Sequence, residues 1–599
     1  FPEEVQEEFL SEDLSTLLFH VSLEEGIEAS ETNAVMDTLR DKVEEIGFEN
    51  VQFEITGPAG ISADTISIFQ NADFVLIIAT VLLIFVLLIL IYRSPLLAIT
   101  PLVIAGIVYG VVDRVIGIFG AANLFAIDSQ AISIMLVLMF AVLTDYSLFI
   151  FSRYREKLRT VESKYVSMQQ AMYHVSEPIF FSGSTIFLAM LTLFVTIFKP
   201  YNYFAPVFST AVIFILLAGL TLIPSIFALL GRPAFWPFIP KVEEKQKDKK
   251  TFWTKISTFV TKHPAAIAST IIIIFVIGII NLTSMTFSYN LLKSFPEDMS
   301  SRVGFELLEE NYPAGELAPA TVLLESDKEI EWNEENIEQF EEFRQTLTEE
   351  KGVEEVTPEI NKDMGESPRS FLSDDKQVAR FELVLSNHPY EIEAIETIKD
   401  LQDKEDALLQ DLSFSKIHYA GQTAEQVDIQ HMNKRDMIIL FSLVIVLMTL
   451  VLGFQTRSIL MPLLMMGTIL VSYAATLGFS WVIFKQFLDL DAISYRIPVY
   501  TFVFMVALGI DYNIMLVSRI REENKSYEFP EAVKRGVALT GGVISSAGMI
   551  LAATFAVLIT QPLQELYLFG FTMAFGILLD TFIVRGMLMP SVLLLTNRK

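Results

Sequence analysis

No cysteine occurs anywhere in the chain, which excludes disulfides, thiolate zinc sites and haem-thiolate chemistry. Its absence leaves the compartment open. Six histidines are scattered without metal-ligand spacing, so neither a metal nor an organic cofactor is expected. Basic residues are scarce: 43 Lys and Arg stand against 72 Asp and Glu, a net charge of −29. That balance excludes nucleic-acid binding, which needs basic surface to neutralise phosphates. No signal peptide opens the sequence. Phe1-Pro-Glu-Glu is not a natural start, so the N-terminus is expected to have been removed or to be missing.

What the chain has in excess is apolar residue. Hydrophobic content is 52% and mean hydropathy is +0.47, above the soluble norm, and 599 residues exclude a single core. The acidity is confined. Residues 1–70 hold 17 acids against Arg40 and Lys42, and residues 285–436 hold 36 acids against 14 bases. Those segments carry −37 between them, against −29 for the whole chain, so the apolar remainder is +8. Two acidic soluble segments therefore alternate with a mildly basic membrane part.

In chain order, residues 1–70 read as a partial extracytoplasmic domain. Thr16–Leu23 and Val51–Ile55 are expected strands around a helix over 29–46, and Gly57-Pro58 breaks the second strand. Apolar runs of spanning length fall at about 72–92, 95–117, 131–152, 178–199 and 204–230, giving a five-helix first transmembrane half over 71–230. Residues 231–263 form a linker with Arg232 and seven lysines, in which Phe252–Val260 reads as an interfacial amphipathic helix. Residues 264–284 open the second half. A second soluble domain over 285–436 shows two βαβ units, one over 320–357 and one from Val378 to Ala420, the pattern of a ferredoxin-like α+β fold. Residues 437–599 supply five more spans. Lys/Arg-rich connections, including Arg153 to Lys164, face the cytoplasm. The acidic domains are then outside.

Two stretches organise the membrane part: Ala141-Val-Leu-Thr-Asp145-Tyr146-Ser-Leu-Phe and Ala507-Leu-Gly-Ile-Asp511-Tyr512-Asn-Ile-Met. Each puts an acid and a tyrosine inside a spanning apolar run, with an arginine eight residues on (Arg153, Arg519). A carboxylate at the bilayer centre costs about 2.5–3.5 kcal/mol on insertion scales, so it is a functional candidate by default. At 1.5 Å per residue each acid lies roughly 12 Å from its arginine, near mid-bilayer. The stretches belong to an internal repeat. Tyr92-Arg93-Ser94 matches Thr456-Arg457-Ser458, and Ser182-Gly183-Ser184 matches Ser545-Ser546-Ala547. Both copies keep the same loop signs, which predicts two pseudo-symmetric transmembrane halves as parallel repeats. Nothing before residue 16 corresponds to the 264–284 helix or the 320–357 unit. One helix and one βαβ unit are thus expected to be missing from the N-terminus of a twelve-span protein. Neighbouring helix residues point about 100° apart, so pairings across the halves are expected: Asp145 with Tyr512, and Asp511 with Tyr146. Thr144, Ser147, Ser182, Ser184, Thr185, Ser545 and Ser546 could add hydroxyls to a proton path.

Duplicated halves, large outer domains and Asp-Tyr pairs followed by Ser-Arg-x-Arg-Glu resemble the resistance–nodulation–division (RND) superfamily, and within it the MmpL-type branch. The resemblance covers essentially the whole chain. It implies an α-helical polytopic membrane protein with porter domains that exports lipids or other hydrophobic molecules. It also implies that Asp145 and Asp511 relay protons inward from the fourth and tenth helices, with Tyr146 and Tyr512 as partners. H⁺ is then the coupling ion, and the state is monomeric or trimeric by analogy. The sequence departs from the family in one respect: Gly509 is present, but Ala141, Leu143 and Ala507 stand where glycines are usual.

Other readings remain at this point. The acids could form a buried network that only locks helices, and Ser and Thr commonly serve helix packing in membranes. Arg153 and Arg519 read as interface anchors, while Arg114, Arg496 and Arg585 read as snorkelling near helix ends. An intramembrane aspartyl protease also uses two membrane aspartates, but Gly509-Ile510-Asp511 lacks its second glycine. A non-transporting sensor or scaffold on the same fold is the third class.

Overall fold

The computed structural model describes residues 10–11, 13–23, 29–47, 51–241, 252–312, 318–361, 367–368, 370–410 and 412–597. The chain divides into two compact units, one from residues 1–67 and 288–435, the other from 68–287 and 436–599.

The first unit holds a four-stranded antiparallel sheet. Its strands are β1 (Ala320–Glu325), β2 (Val353–Thr357), β3 (Val378–Leu385) and β4 (Lys416–Ala420), in the order β2-β3-β1-β4. Burial alternates along β1 and β3, so each has one face turned to a core. Helices Glu334–Glu349 and Ile392–Asp403 supply the other side of that core, through Ile337, Phe340, Phe343 and Leu347 and through Ala394, Ile395, Ile398 and Leu401. The first of these helices is set locally. The Asn333 side chain accepts from the Asn336 N–H at 2.9 Å, and Glu334 and Glu335 lie in the first turn, where the helix dipole favours acids. Phe340 meets Phe371 edge-on at 5.1 Å in the middle of the core.

The N-terminal piece departs from the sequence reading. Helix Ala29–Ile46 forms, but neither 16–23 nor 51–55 is a strand; the former makes only an isolated bridge between Leu10 and Leu17. Phe19, Val21 and Val51 stay exposed. Apolar alternation drives strand formation only where a sheet neighbour covers it, and none pairs with these segments among the described residues. Gly57-Pro58 is also no break: it starts the helix Gly57–Tyr92. Proline suits a first turn because its missing N–H would be unpaired there, and Gly57 takes φ +85°.

The second unit is helical. Among the described residues ten helices are long and apolar enough to cross a membrane, and Leu76–Tyr92 is a further apolar stretch within helix Gly57–Tyr92. Two stand apart from the rest. Ser129–Leu158, the Asp145 helix, and Ile497–Glu523, the Asp511 helix, are each 89% buried over their most apolar windows, against 22–61% for the others. Apolar all round and covered all round, they form the centre of the bundle. Features recur at matching places in the repeat. Arg93 and Arg457 both have positive φ, Ser94 and Ser458 each accept from the N–H three residues on, and wide i→i+5 turns interrupt two helices at Ala218–Leu222 and Leu579–Leu588. The buried Asp436 carboxylate accepts from the Ile197 and Phe198 N–H groups at 2.9 and 2.8 Å, satisfying free donors where helix Lys199–Leu217 begins. Helix Phe252–Lys262 forms as expected, but Trp253, Ser257 and Val260 on one side of it are buried. Most of the linker's lysines, in 242–251, lie outside the described residues.

Candidate functional site

The two central helices bring both Asp-Tyr pairs together, and the partners cross between repeats. Asp511 is buried and accepts from Thr185 Oγ1 at 3.3 Å. Ser182, one helical turn from Thr185, also reaches the Asp511 carboxyl, and its Oγ lies 2.9 Å from the Tyr146 hydroxyl. Asp511, from the second repeat, is thus surrounded by Ser182, Thr185 and Tyr146 of the first. The converse holds for Asp145. The Tyr512 hydroxyl faces its carboxyl, and Arg585 lies within electrostatic reach. The two carboxyls also feel each other's charge.

Arg585 and Asp580 were not expected here. Arg585 does not snorkel: it is 3% exposed and faces into the bundle. Its guanidinium ion-pairs with Asp580, donates from Nη2 to the Gly509 carbonyl at 2.9 Å, and covers the Tyr512 ring with its carbon 4.3 Å from the centroid. The cause is the wide turn over Leu579–Leu588. In a regular α-helix residues five apart point about 140° away from each other, whereas i→i+5 bonding stacks them on one face. The available sequence signal was an acid and a base five residues apart inside one apolar run.

Of the remaining sequence candidates, Ser182 and Thr185 touch the acids. Thr144 and Ser147 donate to carbonyls of their own helix, at Phe140 and Ala141 and at Leu143, the usual resting state of helical hydroxyls. Ser545 accepts from the Trp253 indole N–H at 2.9 Å. Ser184 and Ser546 are half-buried and bond neither acid. Arg153 pairs with Glu156, and Arg519 with Glu522 and Glu523. Arg114 is exposed. Arg496 is not a free snorkelling cation: it lies 4.0 Å from the buried Glu565, which also accepts from Gln130 at 3.1 Å. Among the described residues no cluster of His, Asp or Glu is placed to hold a metal.

Around the acids, buried polar atoms are left without partners: the Tyr512 hydroxyl, both Asn513 amide atoms, one Asp580 oxygen, and Nε and Nη1 of Arg585. Leaving such groups unmade costs about 1–3 kcal/mol each.

Comparison with known proteins accords with this arrangement. The model of the MMPL family matches residues 2–267 and 293–599. All of this chain aligns with 81% of the apo-petrobactin exporter of Bacillus anthracis, at 36% identity. It is 27% identical to membrane protein YdfJ of Bacillus subtilis, over 93% of this chain and 74% of that protein. A 33% identity to "Probable transport protein MmpL12" of Mycobacterium tuberculosis covers 38% of this chain and 20% of that one. Relatives so named are exporters and transport proteins rather than enzymes. A family match over almost the whole chain, a relative 36% identical along all of this chain, and ten helices of membrane length among the described residues make this chain a member of the MMPL family, a multi-pass MmpL-type transporter of the RND superfamily.

Proposed function

We propose that the chain is a proton-driven exporter of lipids or hydrophobic small molecules, with Asp145, Tyr146, Asp511 and Tyr512 as its proton relay. The observation that carries the reading is the crossed placement of the acids on the two most buried helices, each acid beside polar groups of the other repeat. A proton bound at Asp511 changes what Ser182, Thr185 and Tyr146 hold, and one bound at Asp145 changes what Tyr512 and Arg585 hold. Each protonation event therefore acts across the contact between the halves. Arg585 gives the relay a charge balance. With Asp145 ionised, its guanidinium is drawn by two carboxylates, Asp145 and Asp580; with Asp145 neutral, Asp580 alone holds it. A shift of that shared cation is a two-state element of the kind transport needs.

In this reading the repeat makes the halves pseudo-symmetric, the four-stranded unit is a ferredoxin-like porter domain, and the Lys/Arg-rich connections face the cytoplasm. The acidic unit then works outside, in the path of the cargo. A second reading of the cargo comes from the Bacillus anthracis relative, whose name gives apo-petrobactin as what it exports. Its similarity over the whole of this chain supports a compound of that kind as the alternative cargo.

Reconstitution in liposomes tests both. Cargo-dependent proton flux is expected in the wild type and absent from Asp145→Asn and Asp511→Asn, with both variants folded. Full export by both variants would refute the relay. Parallel assays with apo-petrobactin and with lipid decide the cargo.

A further inference from the structure

Helix Phe252–Lys262 does more than lie against the bundle. Its Trp253 is 7% exposed, donates its indole N–H to Ser545 at 2.9 Å and stacks on Phe582 with ring centroids 6.3 Å apart. Two glycines from different membrane helices make room for the ring. A Cβ at Gly541 would lie 2.5 Å from the indole, and one at Gly586 would lie 2.8 Å from it. The slot is therefore shaped to the tryptophan. Beside it is a small cavity lined by Trp253, Thr540, Thr581 and Arg585. A second cavity, lined by Tyr512, Gly509 and Asp580, also has Arg585 in its wall. Arg585 thus lines both a space bounded by Tyr512 and a space bounded by Trp253. At the Trp253 space Thr581 Oγ1 and Arg585 Nη1 have no hydrogen-bond partner.

We propose that Trp253 is the cytoplasmic seal of the proton route, a plug that keeps water from the Arg585 chamber until export moves the bundle. This rests on the proton-coupled reading above. A proton leaving the acids inward has polar groups to follow as far as Arg585 and Thr581. Beyond them a flat apolar ring closes the way. In the proposed topology the Lys/Arg-rich connections are cytoplasmic, the side on which protons would be released. The helix thereby ties release to its own position: with the indole seated the route is shut, and with it withdrawn the chamber opens.

The test uses full-length protein in liposomes with an imposed pH gradient, a trapped pH-sensitive dye and no cargo. Trp253→Ala is expected to leak protons several-fold faster than wild type, while Trp253→Phe, which keeps the stack on Phe582, stays tight. Gly541→Ala, which displaces the indole without removing it, should leak as well and serves as the second route should Trp253→Ala fold poorly. Adding Asp511→Asn should abolish the leak. A tight Trp253→Ala and a tight Gly541→Ala, in protein whose wild type shows cargo-dependent proton flux, would overturn the seal and leave the relay standing. A leak that survives Asp511→Asn would also overturn it, because the water path would then bypass the acids. A wild type that moves no protons with cargo removes the relay and the seal together.

Discussion

The guanidinium of Arg585 covers the ring of Tyr512 at 4.3 Å while its Nη2 donates to the Gly509 carbonyl, three residues before that tyrosine. One side chain of the last helix thus holds both the backbone and the aromatic partner of the Asp511 helix. Its own counter-ion, Asp580, comes from the same wide turn. Moving this cation means moving the central helix.

Arg585→Met alone leaves Asp580 as an uncompensated buried charge, which typically costs about 3–5 kcal/mol. A large fall in melting temperature in detergent is expected. Combining it with Asp580→Leu removes the orphan charge and should restore most of that loss. Export should stay absent in the double variant, because Asp145 has then lost its neighbouring cation. Recovery of export along with stability would show the pair to be structural only.

Ser182 and Ser545 occupy comparable places in the repeat but should behave differently. Ser182→Ala strips Tyr146 of its hydroxyl partner and Asp511 of a neighbour. We expect slower export and a stability loss of about 1–3 kcal/mol, the cost of an unpaired buried group. Ser545→Ala removes the acceptor of the Trp253 N–H and a hydroxyl that donates to the Gly541 carbonyl, neither of them at the acids, and should export at the wild-type rate. Cargo flux from matched proteoliposomes separates the two.

Gly478 sits against helix Pro264–Ile280 so closely that a Cβ there would fall 1.9 Å from the Gly278 carbonyl oxygen. Backbone cannot yield as a side-chain tip can. Gly478→Ala should therefore force the helices apart, at about 1–3 kcal/mol or more by the usual cost of overpacking. Thermal unfolding in detergent reads it, and Gly467→Ala, with open space around it, is the control.

In the sheet-bearing unit, Arg344 bonds Glu341 through both Nε and Nη2 and holds its carboxyl below the ordinary value of 4.5. A depressed folded-state value means the contribution is present above the unfolded value and is lost as pH falls through the lowered one. The pair is partly open to solvent, so its worth is about 0.2–1 kcal/mol. Glu341→Gln should lower stability by that little at pH 7, and the difference should vanish in acid below the lowered value. Melting curves of the two proteins across that range check the sign.

The sequence by itself determined what depends on local pattern. Runs of apolar residues long enough to span declared the membrane class, and acids within such runs declared the candidate site, because hydrocarbon tolerates few charges. The reading of two βαβ units over 320–357 and 378–420 placed β1 to β4 and the helices between them. The tertiary structure decided what depends on neighbours distant in the chain. Thr185 meets Asp511 across 326 residues, so only packing chose Ser182 and Thr185 over Thr144, Ser147 and Ser545 as partners of the acids. The segments 16–23 and 51–55 carry strand pattern, but among the described residues no strand pairs with them beyond the single Leu10–Leu17 bridge, so the pattern there came to nothing. Arg585 looked like a snorkelling end residue until a wide turn, invisible to any 3.6-residue period, swung it inward beside Asp580.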